Sequence, residues 1–466
     1  MEQYIKWGRS GGPDFTGEEI GSISDTSEVL LCGEEATYRF IEDALKALRG
    51  AYKTDKIHIG MDEAGEIGRG SYLSKNGYID SYTIMREHLD KVVELCGKYG
   101  FKPMMWSDMF FRLGTQGSYY KSDFGFPKGT KEKIPEAVQL VYWDYYHNRV
   151  EEYDAMIKKH MEIEDNLAFA GGIGTWFGFL VSHDYSYDNS LAAMKACVKN
   201  GIKTVIATTW GDDGNETNAF LALSLLPIFS EYCYRGSDCY EEDIKEVSEF
   251  LTKIKFDDAR DMGNLSFMKE VEYLKEWHLQ NGGGTDMLLG RRLFYGDIMY
   301  DMSVNKESCD DIIENYEGCA EKMLKLYKEK PEDENTIFYK YAYLLYKICS
   351  MKAELVKNLR MAYRQGNIAY LKKVYIEFLP QLKEWYREFV DVYKAIWKRD
   401  YKPFGYEVSS FRFGGVISRI NDAEETIGDY LRNNISKIDE LEEEILTNEE
   451  SFWDSVSGLA TPTGRL

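Results

Sequence analysis

The chain has 466 residues, 44% of them apolar, enough for two or three domains with buried cores. Its formal net charge of −22 makes nucleic acid and anionic membranes unfavourable partners. No run of 18 apolar residues occurs and the N-terminus MEQYIKWGRS has no apolar h-region, so neither a membrane span nor a signal peptide is expected. Eight scattered cysteines form no CxxC pair and fit no zinc spacing, which reads as free thiols in a reducing, cytoplasmic compartment.

The first half alternates helix and strand. An amphipathic stretch over Glu34–Leu48 leads into an apolar run, Lys56–Asp62 (KIHIGMD). A second helix is predicted over Ser81–Tyr99, with Met85, Leu89, Val92, Val93 and Cys96 on one stripe and Gly97 and Gly100 at its end. Four more strand candidates follow: Lys102–Asp108, Val138–Tyr145, Leu167–Gly172 and Thr204–Trp210, with a helix over Ala192–Asn200 before the last. Continuous apolar strands suit a parallel sheet buried on both faces, and repeated βα units suit an α/β barrel or a doubly wound sheet. After about residue 220 the strands stop. Helices are expected over Glu241–Lys255, Lys306–Lys328, Asn335–Gln365, Ile368–Lys398 and Ser418–Leu446, the last with an apolar face of Ile420, Ile427, Leu431, Ile435, Ile438 and Leu441. Loops are expected at Asp257–Gly263 and Asn281–Thr285. The domains are therefore read as 1–220, α/β, and 221–466, helical.

Carboxylates and aromatics gather at the carboxyl ends of the strand candidates: Asp62-Glu63, Trp106-Ser107-Asp108, Trp143-Asp144-Tyr145-Tyr146, Gly174-Thr175-Trp176 and Trp210-Gly211-Asp212-Asp213. In α/β barrels that end carries the active site. Strand alternation would put Trp106 with Asp108, Trp143 with Tyr145 and Trp210 with Asp212 on common faces, an aromatic wall beside a polar group each time. Sugars ask for that combination, since ring faces are apolar and hydroxyls need directed hydrogen bonds. Adjacent carboxylates are poorly placed as nucleophile and acid on one anomeric carbon, which need carboxyls roughly 5–5.5 Å apart. They suit a substrate-assisted reaction, in which the 2-acetamido oxygen attacks, one carboxylate orients that group and the other protonates the leaving oxygen. His58, four residues before Asp62, reads as a structural histidine. No metal-ligand spacing is present, and no metal or cofactor is expected.

The segment His58-Ile59-Gly60-Met61-Asp62-Glu63 resembles the H-x-G-G-D-E signature of glycoside hydrolase family 20, the β-N-acetylhexosaminidases, with Met61 where glycine is usual. The segments Lys102–Phe111, Val138–Tyr146 and Thr209–Glu216 are similar to the strand ends that follow in that family, particularly in bacterial intracellular N-acetylglucosaminidases with a helical C-terminal domain. The resemblance implies a retaining, substrate-assisted hydrolase that removes terminal β-linked N-acetylglucosamine or N-acetylgalactosamine. By the same resemblance Asp62 orients the acetamido group, Glu63 is the general acid and then base, and Tyr145 bonds the acetamido oxygen. Trp106, Trp143 and Trp210 form aromatic walls, Asp212 binds the outer hydroxyls, Trp176 lines the leaving-group side and Glu216 contacts sugar. The partner implied is an amino-sugar oligosaccharide or glycoconjugate, with homo-oligomerisation left open.

In the family the Asp-Glu pair ends the fourth strand, whereas here it falls on the first of five. Met1–Trp7 (MEQYIKW) resembles the segment after the family's third strand. The expectation is a partial (β/α)8 barrel of about five βα units, with no counterpart of the first-strand arginine or of the third-strand histidine. An inactive remnant that at most binds amino sugars is the alternative.

Overall fold

A computed structural model describes residues 23–26, 29–114, 118–212, 214–266, 288–300, 309–329 and 335–443. The expectations for Met1–Trp7, Asp213 and the Asn281–Thr285 loop lie outside these residues, as do the start of Lys306–Lys328 and the end of Ser418–Leu446. The elements of the first half run α1 (Glu35–Ala51), β1 (Lys56–His58), α2 (Ser71–Asn76), α3 (Ser81–Lys98), β2 (Lys102–Trp106), α4 (Asp108–Gly114), β3 (Gln139–Trp143), α5 (Val150–His160), β4 (Ala168–Gly172), α6 (His183–Lys199) and β5 (Thr204–Thr208). The chain divides into two compact units. One comprises Met1–Asp144, Arg149–Gly171 and Lys195–Ile206; the other comprises Tyr145–Asn148, Gly172–Met194 and Ala207–Leu466.

The first unit holds the sheet. Its five strands are parallel and lie in the order β1-β2-β3-β4-β5, with His58 opposite Met104, Trp106 opposite Val141 and Trp143 opposite Ala170. This is part of an α/β barrel, as the βα alternation predicts. The side-chain period of two puts Met104 and Trp106, Val141 and Trp143, Ala168 and Ala170, and Ile206 on one apolar face. On the outer side α1 and α3 pack through Ile41, Leu45, Val92, Leu95, Cys96 and Phe101, with Ile57, Ile59 and Met61 against them. Asp80 caps α3 by accepting the Thr83 N–H at 3.0 Å, and Gly100, at φ +70°, turns the chain into β2.

The strands are shorter than expected. β1 stops at His58 because the chain turns at Gly60 and Met61, both at positive φ, and β2 stops at Trp106 because a helix starts at Asp108. Asp108 opens α4, so strand alternation does not place it beside Trp106.

The second unit is mainly helical: α7 (Leu226–Arg235), α8 (Glu241–Thr252), α9 (Phe256–Met262), α10 (Leu289–Tyr295), α11 (Cys309–Glu329), α12 (Thr336–Arg364), α13 (Ile368–Lys373), α14 (Leu379–Asp400), α15 (Tyr406–Leu431) and α16 (Asp439–Glu442). The Asp257–Gly263 loop expectation is corrected, since that stretch is α9. Phe256 and Met262 are buried, and Asp257 and Asp258 sit in its first turn where the helix dipole favours acids. The expected Glu241–Lys255 helix ends early because Lys253 adopts φ +57°. The Ile368–Lys398 run is interrupted at 374–378 by a π-helical turn just ahead of Pro380, whose missing N–H cannot continue the ladder. The Ser418–Leu446 expectation is shifted: α15 starts at Tyr406 and stops at Leu431, Asn433 has φ +59°, and Ile435 is exposed. An aromatic core of Phe179, Phe294, Tyr341, Phe389 and Phe413 joins α10, α12, α14 and α15.

Candidate functional site

Beyond β1 the backbone reverses through a left-handed stretch, with φ +74° at Gly60, +69° at Met61 and +51° at Glu63. A residue with a Cβ pays about 1–2 kcal/mol for this conformation. That gives the glycine of the family signature a conformational reason rather than a chemical one. Met61 meets the cost with its side chain, which packs on the α1/α3 cluster. Asp62 and Glu63 emerge exposed. The following loop is tied down by Asp25, whose buried carboxylate accepts the N–H groups of Gly68 at 2.7 Å, Gly70 at 3.1 Å and Tyr72 at 2.7 Å.

The neighbour of this turn is α4. Asp108 Oδ2 accepts the Glu63 N–H at 2.9 Å and Arg112 Nε–H at 3.0 Å, while the other arm of Arg112 donates to Glu63 Oε1 at 3.0 Å. Asp108 is wholly buried. Burial pushes its carboxyl up to about 6, helped by the charge of Asp62 and opposed by the Glu63 N–H and Arg112. Asp108 Oδ1 has no partner among the described residues.

Trp106 and Trp143 stand at the carboxyl ends of β2 and β3 on the same face of the sheet. The Trp106 ring lies 4.2 Å from that of His58, whose Nδ1 accepts the Gly60 N–H at 3.1 Å and which burial pushes down to about 4. His58 is thus a neutral support for the turn. Trp143 is held from behind. Its backbone N–H donates to Tyr119 Oη at 3.2 Å, and Tyr119 and Ser107 are joined at 2.8 Å. Ser107 meets His160 Nε2 at 2.8 Å. His160 Nδ1 lies 2.7 Å from the Met156 carbonyl and must donate there, so Nε2 accepts from Ser107 and Tyr119 donates to Ser107. Every hydroxyl in this buried chain has one direction. Tyr142 donates to Asp144 Oδ2 at 2.5 Å.

The remaining predicted residues belong to the second unit. Tyr145 and Trp176 are buried with ring centroids 5.4 Å apart, and the Tyr145 carbonyl accepts from Asn189 at 2.6 Å. Trp210 is 40% exposed and its carbonyl accepts from Thr175 Oγ1 at 2.7 Å. Asp212 is exposed in the turn that follows. Glu216 is buried in an ionic cluster, with Arg291 at 2.8 Å, Arg412 at 3.0 Å and the Tyr295 hydroxyl at 2.5 Å. Arg412 and Tyr295 bond to Oε1 and Arg291 forms an ion pair with Oε2, which gives Glu216 a part in the helical packing.

Sequence reasoning missed Arg112 and read Asp108 only as the polar group beside the Trp106 wall. Their signal is an Asp–Arg pair four residues apart, which acquires meaning only once Asp108 is known to start a helix. Among the described residues no three His, Cys, Asp or Glu side chains gather as metal ligands, and no helix is long and apolar enough to cross a membrane.

Residues 280–458 match the family model for the glycoside hydrolase 20C C-terminal domain. No curated protein matches the chain. Among solved structures it is similar to a GH138 enzyme targeting pectin rhamnogalacturonan II, with a TM-score of 0.35 and 9% identity over 87% of this chain and 65% of that one. The chain therefore spans slightly less than two thirds of that protein's length, and so distant a likeness bears on neither mechanism nor substrate. The family match thus covers the C-terminal part of the chain, which is similar to a domain of the glycoside hydrolase 20C type.

Proposed function

We propose that this chain is a β-N-acetylhexosaminidase that works by substrate assistance. The observation that carries the reading is the exposed Asp62-Glu63 pair at the carboxyl end of β1, on a partial barrel whose next two strands end in Trp106 and Trp143. The match of residues 280–458 to a glycoside hydrolase 20C domain supports the family.

In the proposed reaction the substrate's acetamido oxygen attacks the anomeric carbon, forming a cyclic oxazolinium ion. Asp62 accepts the acetamido N–H and balances the charge that develops there. Glu63 gives its proton to the departing glycosidic oxygen, then takes one from the water that opens the ring. Glu63 is an ion-pair partner of Arg112 in the structure, so donating a proton requires that this bond loosen. Trp106 and Trp143 offer flat apolar faces to the sugar and its acetyl group. The resemblance gives Tyr145 the acetamido oxygen, Trp210 and Trp176 further walls, and Asp212 the outer hydroxyls.

The test is turnover of phenyl β-N-acetylglucosaminide by wild type, Asp62→Asn and Glu63→Gln. Loss of the general acid should lower the rate on the order of 10²–10⁴-fold, and the matching β-glucoside, without the acetamido group, should not react. Equal turnover of the two sugars, or none of either, overturns the reading. A second reading, an amino-sugar-binding remnant without turnover, draws on the commitment of the Glu63 carboxylate to Arg112. Binding of a thiazoline mimic of the oxazolinium ion without hydrolysis would favour it.

A further inference from the structure

We propose that Asp108 and Arg112 are positioning residues for Glu63, fixing both the backbone turn that presents it and the direction of its carboxylate. The inference rests on the acid/base reading of Glu63. Glu63 is held at two points, its amide by Asp108 at 2.9 Å and its carboxylate by Arg112 at 3.0 Å. Both holds converge on one atom, Asp108 Oδ2, which also fixes Arg112 at 3.0 Å.

The turn needs such a hold. Glu63 sits at φ +51°, a conformation its own side chain disfavours. A carboxylate accepting the amide makes a charge-assisted hydrogen bond, about twice as strong as a neutral one. Asp108 can serve as a fixed point because it is buried in the first turn of α4, and Arg112 lies one helical turn further on. The groups facing the Asp108 carboxylate are Asp62 and the Glu63 N–H from the turn, Arg112 from its own helix and Tyr119 from the loop before β3. Packing alone does not explain an acid here: its second oxygen is buried and, among the described residues, without a partner, an expense that an apolar side chain would avoid.

Two measurements test this. The first is exchange of the Glu63 backbone amide, followed by mass spectrometry. Asp108→Ala should speed it by about tenfold or more, while Asp108→Asn, which keeps a neutral acceptor in place of the charged one, should speed it by less than Asp108→Ala. The second compares phenyl with 2,4-dinitrophenyl β-N-acetylglucosaminide. Misaiming a general acid matters for the poor leaving group and little for the good one, so Arg112→Ala should lower kcat about tenfold more on the phenyl substrate, with Arg112→Lys recovering part of the loss. Unchanged amide exchange in Asp108→Ala, or equal losses on the two substrates, overturns the proposal. A wild type that turns over neither substrate sinks the acid/base reading instead, and the exchange result still decides whether the clamp exists.

Discussion

A carboxylate removed from water costs the fold free energy whenever it is ionised, and Asp108 is in that position. Its titration near 6, against the usual 3.8, means that the folded state favours the protonated form. The sign follows from linkage. Stability associated with this group is fully present below about pH 4 and is lost as pH rises through 6. Raising the carboxyl from 3.8 to about 6 corresponds to on the order of 3 kcal/mol. Asp108→Asn, neutral throughout, should therefore gain on wild type between pH 4 and pH 7 by an amount of that order. Urea denaturation of the two proteins across that range checks it, and a stability difference that does not change with pH would contradict the assignment. The cost is borne next to the acid pair, where the same carboxylate holds the Glu63 amide.

Among the elements, the close approach at the end of β4 is the sharpest constraint. A Cβ on Gly172 would lie 2.7 Å from Tyr145 Cδ1 and 3.0 Å from both Thr208 Oγ1 and Trp176 Cη2. Gly172→Ala should destabilise the protein by about 1–3 kcal/mol and shift the fluorescence of Trp176. Gly97→Ala is the control. It lies inside α3 with open space around it, and should gain up to about 1 kcal/mol. Unchanged stability and fluorescence in Gly172→Ala would mean that the three side chains are not packed as described. The same strand ends mark how far the sequence could be read. The five strands were legible because each is an unbroken apolar run between turn residues, and their order follows from βα alternation. Their ends were not, because Trp-Ser-Asp and Trp-Asp-Tyr continue the β-like composition into loops and helices. Asp257–Gly263 looked like a loop from its Asp and Gly content, yet burial of Phe256 and Met262 decides for helix. Gly414 and Gly415 concealed the start of α15, where both face open space and so break nothing. In the candidate site the acid pair and the aromatic strand ends were visible as motifs. The Asp108–Arg112 clamp was not, because it depends on a helix start that composition does not announce. The ionic partners of Glu216, Arg291 and Arg412, lie 75 and 196 residues away in the chain, beyond any local pattern.

Across the whole chain, 79 acidic side chains stand against 57 basic ones. Self-repulsion among an excess of 22 like charges opposes compaction, while local pairs such as Lys75–Glu34 and Arg86–Asp90 favour it. Salt weakens both, so the direction of its effect shows which is larger. Exposed pairs are worth at most about 1 kcal/mol each and many contribute nothing measurable, because two long side chains must be ordered to make them. Net repulsion acts over longer distances, and those are the interactions lost when the Debye length falls from about 30 Å at 0.01 M to about 8 Å at 0.15 M. Raising sodium chloride across that interval should therefore raise the urea midpoint, by an amount on the order of 1 kcal/mol in unfolding free energy. Urea is the denaturant to use, since guanidinium would itself screen the charges. A midpoint that falls with salt would mean that the ion pairs outweigh the net charge. Under the proposed reaction, a neutral amino-sugar glycoside adds a second reading of the same titration. Carrying no charge, it gains nothing from steering, so its kcat/KM should stay flat while the stability of the protein rises.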